Sequence, residues 1–281
     1  MNAQSMARTG SGQARRAADS TAVSAAARAG FAARGLIYVL VGVIALQMAF
    51  GGDSGGKQAD RGGALGELAE KPFGAVLLWA VGLALAGMAL WRLSEALFGS
   101  AGEDGGKASK RAMAAARCVF YAFVSYSVLS FAAGDKGSGS GSSDRQTHDV
   151  TAMVMKWPAG QWLVAVAGVG VVVAGGWIAV RAILRKFRKH LRTGSMSPAA
   201  QRFTDVFGVA GGTARGLVFA TAGVFAVVAA VRLDPDKATG MDDTLRSFRD
   251  LPAGPWLLAL IALGLAAFGV FSWCNARWRE V

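Results

Sequence analysis

Residues 32–50, AARGLIYVLVGVIALQMAF, followed by residues 70–91, EKPFGAVLLWAVGLALAGMALW, decide the fold because their pattern returns twice. AARCVFYAFVSYSVLSFAA (115–133) precedes KWPAGQWLVAVAGVGVVVAGGW (156–177), and TARGLVFATAGVFAVVAAV (213–231) precedes DLPAGPWLLALIALGLAAFGVF (250–271). Each copy is an Arg-led apolar helix, a polar loop and a Pro-led apolar helix. Crossing a hydrocarbon core about 30 Å thick takes roughly 20 apolar residues. Residues 73–91, 157–180 and 251–276 carry no charge at all. The three Arg-led stretches reach the same length once the Ala- and Gly-rich turn before each is counted. Three copies of a two-helix unit predict an all-α integral membrane protein with six transmembrane helices.

Aligning the copies sets Arg34, Arg117 and Arg215 against one another, and likewise Pro72, Pro158 and Pro252. Two residues beyond each Pro stands a Gly (Gly74, Gly160, Gly254), and nineteen beyond it an aromatic ring (Trp91, Trp177, Phe271). Proline fits the first turn of a helix, where its missing N–H would be unpaired anyway, so each Pro is expected to open its span. The rings are expected at the membrane interface. A unit that crosses twice returns to its own side, so the copies are parallel repeats about an axis along the membrane normal. The bounds are 28–100, 109–192 and 205–280, after a polar tail over 1–27 expected to be disordered. A pseudo-threefold bundle is expected, with an open row of hairpins as the alternative.

Charge orients the bundle. The chain carries +12 net, with mean hydropathy +0.38. One side (the tail, the 92–117 and 181–215 connections and the C-terminus) holds 20 Lys and Arg against 6 Asp and Glu; the other holds 10 against 12. The positive-inside rule places the first side, with both termini, in the cytoplasm of a cell whose plasma (inner) membrane the protein spans. The basic run 185–192 suits anionic lipid headgroups. Basic residues interleaved with aromatics, which nucleic acid would want, are not found.

Within the loops, Leu65 and Leu68, Val154, and Leu245 and Phe248 predict brief amphipathic helices on the opposite membrane surface. Residues 135–144 read as a Gly/Ser linker. Small residues four apart (Gly82 and Ala86, Gly170 and Ala174, Gly212 and Gly216) predict close helix packing. Cys118 and Cys274 read as packing residues, with no disulfide and no metal site. Tyr38, Tyr121, Tyr126, Gln47 and Ser125 are among the few polar groups within spans, expected to bond between helices.

No catalytic constellation is present: the spans hold no His, Asp or Glu at their centres. His148 and His190 sit in loops. No catalytic, cofactor or metal-binding residue is assigned, and no cofactor is expected. The candidate site is Arg34, Arg117 and Arg215. They either snorkel outward to headgroups, or face inward as a ring that holds a phosphate or carboxylate in bidentate geometry. Glu95 is the expected salt-bridge partner of one of them.

The triple [AT]AR[GC] start with P-x-G partners resembles the bacterial membrane family called domain of unknown function 1206, over about residues 28–280. The second copy departs most, with Cys118 where the others carry Gly and a longer Gly/Ser-rich loop. The resemblance implies three two-helix repeats and carries over no activity, cofactor or catalytic residue. The function expected is that of a non-enzymatic membrane protein, structural, accessory or lipid-interacting. The alternative is a small-solute or ion permease with its site on the pseudo-threefold axis.

Overall fold

The computed structural model describes residues 21–51, 58–99, 107–134 and 143–280. Six helices in it are long and apolar enough to cross a membrane. They are α1 (Thr21–Phe50), α3 (Gly74–Phe98), α4 (Ala108–Ala132), α6 (Gly160–Ile183), α7 (Pro198–Arg232) and α9 (Gly254–Trp278); three short helices, α2 (Arg61–Ala69), α5 (Ser143–Met155) and α8 (Met241–Arg249), lie in the loops between the spans of each copy. The chain is a multi-pass membrane protein.

Two boundaries move. The helix of the first copy begins at Thr21, so residues 21–27 are not part of a disordered tail. Alanine has the best helix propensity, and Ala27 and Phe31 are buried, with Phe31 edge-on to the Trp91 ring at 5.5 Å. Residues 1–20 of that tail, and 135–142 of the Gly/Ser linker, lie outside the described residues. The third copy starts at Pro198 and not at 205, because Ser197 accepts from the Ala200 N–H at 3.2 Å and Pro198 opens the first turn.

The other three prolines do not open their helices. Each sits in a turn two residues ahead. The N–H of Gly74 reaches Lys71 O at 2.8 Å, that of Gly160 reaches Trp157 O at 2.8 Å, and that of Gly254 reaches Leu251 O at 2.7 Å. The residue after each Pro (Phe73, Ala159, Ala253) is left-handed, with φ of 63°, 62° and 59°. A proline followed by a positive φ is the arrangement of a type II turn. The turn folds the start of the span under the end of the loop helix. A Cβ on Gly160 would stand 1.9 Å from Val154 O, and one on Gly254 1.8 Å from Arg249 O. Gly254→Ala is therefore expected to destabilise the protein by about 3 kcal/mol through backbone overlap, read as a lowered thermal midpoint in detergent. Ala253→Gly relieves a left-handed alanine and should raise the midpoint, by up to about 1 kcal/mol.

The loop helices form, and those of the first and third copies turn their apolar stripe into the bundle, while Val150 and Met153 of the middle one are exposed. Leu65, Leu68, Leu245 and Phe248 are buried in the bundle core beside residues of the spans. Sealing the end of the bundle hides the same apolar stripe that a surface helix would give to lipid. Asp242 locks the first and third loops together, accepting from Ala59 N at 2.6 Å and from Arg246 Nε at 2.8 Å.

The spans pair across repeats more closely than within them. The most extensive interfaces join the second helix of one copy to the first helix of the next: α3 with α4, α6 with α7, and α9 with α1. Within copies, α1 meets α3 and α7 meets α9, while α4 and α6 share no comparable interface. The order α1-α3-α4, α6-α7-α9 and back to α1 is a pseudo-threefold ring with one seam open, between the two spans of the middle copy.

Small residues seven apart set the three tight interfaces. Gly168 and Gly175 of α6 face Gly223 and Gly216 of α7, and Ala262 and Gly269 of α9 face Gly42 and Gly35 of α1. At α3 with α4 the corresponding site is closed by a hydrogen bond, Ser125 Oγ to Gly82 O at 2.8 Å. Of the expected four-residue pairs, Gly212 with Gly216 packs closely on α6, and Gly82 on α4, whereas a Cβ on Gly170 would meet nothing within 4 Å. Burial follows the ring order: α9 is 67% buried and α6 only 17%.

Candidate anion-binding site

Arg28 Nη1 donates to Arg277 O at 3.2 Å, which puts the start of α1 and the end of α9 on one side, the basic face. Counting about 20 residues back from the opposite ends of α1, α4 and α7 places Arg34, Arg117 and Arg215 within roughly 6 Å of the hydrocarbon boundary on this face. Lipid phosphates lie just beyond that boundary, within reach of an extended arginine side chain.

Two of the three turn inward. Arg34 Nε donates to Ser272 Oγ at 3.2 Å and its Nη1 to Tyr121 Oη at 3.3 Å; Arg215 Nε donates to Tyr38 Oη at 3.1 Å. Outward snorkelling is thereby corrected for this pair. The bonds obey the threefold order. The tyrosines sit four residues after the aligned arginines, and each arginine reaches the tyrosine of the next copy: first to second, third to first. Buried phenols need such partners, so the expectation for Tyr38 and Tyr121 holds, while Tyr126 is exposed on the outside of α4.

Two further arginines join them, and sequence reasoning missed both. Arg92 of α3 is 5% exposed, stacks on Trp91 at 4.0 Å and is ion-paired with Glu95. Glu95 was expected to pair with one of the aligned arginines; its partner is Arg92, one turn away on the same helix, where no loop has to bring them together. Arg279 follows α9 and lies over Phe31 at 5.2 Å and Trp91 at 5.6 Å. A short clasp holds it there. Leu191 and Arg279 form an antiparallel bridge, Arg192 N reaches Trp278 O at 2.9 Å, and Glu280 N reaches His190 O at 3.1 Å. Burial, and then the charges of Arg92 and Arg34, hold the Arg279 guanidinium well below its usual value, against the pull of Glu95.

The five guanidinium groups share one neighbourhood. Arg279 lies within electrostatic reach of Arg92, Arg34 and Arg117, and Arg117 within reach of Arg92 and Arg215. Their floor is aromatic: Arg34 stacks on Phe31 and Phe268 at 4.9 and 5.2 Å, and Arg215 on Phe268 at 4.9 Å. Ring faces stabilise desolvated cations, yet they leave N–H donors unfilled. The Nε atoms of Arg92 and Arg279 are buried with no hydrogen-bond partner among the described residues. Among the described residues, five cations around one carboxylate, with open donors, form a receptor for an oxyanion. The aromatics nineteen residues beyond each Pro divide: Trp91 and Phe271 pack inside, and Trp177 is exposed.

The geometry stands beside a clear family relationship. The model of the family described as Domain of Unknown Function (DUF1206) matches residues 29–99, 112–185 and 210–279. A curated relative, the uncharacterized protein YxxB of Bacillus subtilis (strain 168), is 30% identical over 247 residues, covering 87% of this chain and 87% of its own. No solved structure matches. Each matched segment takes in one two-helix repeat with its aligned arginine, and the chain belongs to the DUF1206 family.

Proposed function

We propose that this is a non-enzymatic plasma-membrane protein, with its basic face cytoplasmic, that holds the anionic headgroup of a lipid in the arginine cluster and acts as a structural or accessory component. The observation that carries the reading is the uncompensated charge among the described residues: Arg92 is buried, its Nε is open, and a single carboxylate serves five guanidinium groups. A buried cation is costly without an anion beside it, and the phosphate layer lies just beyond the hydrocarbon boundary, within reach of an arginine side chain. The excess of Lys and Arg on this face supports its cytoplasmic placement.

The test is the phospholipid retained by protein purified in mild detergent, wild type against the triple Arg34→Gln, Arg117→Gln, Arg215→Gln variant. Anionic lipid is expected on the wild type at near-stoichiometric level and should be lost from the triple variant. Equal retention by the two sinks the reading. The permease alternative would instead show anion flux in proteoliposomes. Leu65, Leu68, Leu245 and Phe248, packed into the opposite end of the bundle, weigh against an open path.

A further inference from the structure

The arginine–tyrosine relay is incomplete, and its missing step falls where the ring of helices is open. Arg34 of the first copy donates to Tyr121 of the second, and Arg215 of the third donates to Tyr38 of the first. Threefold order requires Arg117 of the second copy to donate to the third copy's residue at the same position. That residue is Phe219, four beyond Arg215, which has no hydroxyl. Arg117 accordingly has no hydrogen-bond or ion-pair partner among the described residues, and it is exposed where Arg34 and Arg215 are half-buried. Phe219 is 40% exposed. Arg117 belongs to α4, the span that shares no extensive interface with α6. Every other neighbouring pair in the ring is packed.

Resting on the proposed function, we infer that the cluster binds one phospholipid, which enters from the membrane through the seam between α4 and α6, with Arg117 as the residue that captures its phosphate. Arg34 and Arg215 are positioned by their bonds to Tyr121, Ser272 and Tyr38 and line the site behind the point of capture. Arg117, with the open Nε donors of Arg92 and Arg279 behind it, is the part of the cluster left for a ligand. A lipid is favoured over free phosphate because Arg117 lies inside a span and the seam faces the hydrocarbon. An exposed guanidinium in that layer is stabilised by a headgroup phosphate. The lone phenylalanine in a relay otherwise built from tyrosine keeps that guanidinium free.

The experiment follows binding of fluorescently labelled phosphatidylglycerol to the full chain in phosphatidylcholine nanodiscs, for the wild type and four single variants. Arg117→Gln is expected to weaken binding at least tenfold. Phe219→Tyr, which supplies the missing acceptor, should weaken it several-fold while raising thermal stability. Arg34→Gln and Arg215→Gln should lower the thermal midpoint and weaken binding by the folded fraction several-fold less than Arg117→Gln does. A photoreactive lipid should label α4 and α6 rather than α1 and α9, and excess inorganic phosphate should not compete. Wild-type-like binding by Arg117→Gln, beside loss in the triple variant, overturns this inference and leaves the proposed function standing. Failure of the wild type to bind removes both. Labelling confined to α1 and α9, or full competition by phosphate, overturns lateral entry of a lipid.

Discussion

Glu95→Gln is expected to destabilise the folded protein by about 3–5 kcal/mol, the usual cost of stranding one partner of a buried ion pair. Arg92 is 5% exposed and Glu95 is the acceptor its guanidinium has among the described residues. Removing the carboxylate leaves five arginines with no anion between them. The loss is then more than one hydrogen bond, because every remaining cation repels its neighbours in a medium that screens poorly. Two controls separate charge from shape. The double variant Arg92→Met, Glu95→Met keeps the volume and removes both charges, so it should recover most of the stability. Thermal unfolding of Glu95→Gln should also recover in phosphatidylglycerol relative to phosphatidylcholine, since an anionic headgroup replaces the lost charge. Equal midpoints for wild type and Glu95→Gln in phosphatidylcholine would show that the pair contributes nothing.

That cluster was half legible in the sequence. Arg34, Arg117 and Arg215 stand out because they recur at one position in three copies. Arg92 does not recur, since the residues aligned with it are Ile178 and Ser272; Arg279 lies beyond the last span, aligned with Gly99 and with Arg185 of the basic run, where one more cation does not stand out. A feature confined to one copy leaves no internal echo. The one available sign was Arg92 three residues before Glu95, an ordinary helix-surface spacing that says nothing about burial. The relay was hidden for a different reason. Tyr38 and Tyr121 are plainly four residues beyond their arginines, but the bonds run between copies, and which helices touch is not written in any one helix's hydropathy. Lipid tails are as apolar as leucine, so apolarity inserts a span without choosing its neighbour.

The same reasoning explains the correction to the small-residue pattern. A spacing of four is the familiar sign of close helix contact, and it selected Gly170 with Ala174, yet Gly170 meets nothing. Seven residues are two turns, so Gly168 and Gly175 stay on one face through the length of the crossing. The period-seven positions recur in every copy as Gly, Ala, Cys or Ser: Gly35 and Gly42, Cys118 and Ser125, Gly216 and Gly223 on the first helices. The even helices answer with Gly82 and Ala89, Gly168 and Gly175, Ala262 and Gly269. Read together, those twelve positions predict which helix packs on which, and they point between copies.

The largest consequence of that pairing falls on α6, whose attachment to the bundle depends on one neighbour. It has no extensive interface with α4, and it is the least buried of the spans. What holds it is the approach of its backbone to α7 at Gly175 and Gly168. A Cβ on Gly216 would lie 2.6 Å from Gly175 O and 2.7 Å from Ala179 N, both backbone atoms that cannot swing aside. Gly216→Leu must therefore push the two helices apart along their whole length, forfeiting contacts at Gly223 as well. The expected loss is about 3 kcal/mol or more, with α6 becoming accessible to protease and to thiol reagents at cysteines introduced on its buried face. Gly170→Leu, on α6 itself but in open space, should change stability by no more than about 0.5 kcal/mol. The contrast isolates packing from hydrophobicity, because both substitutions add the same side chain to a membrane span. Equal effects of the two would mean that α6 is held by lipid and its loops, and that the seven-residue pattern carries no energy.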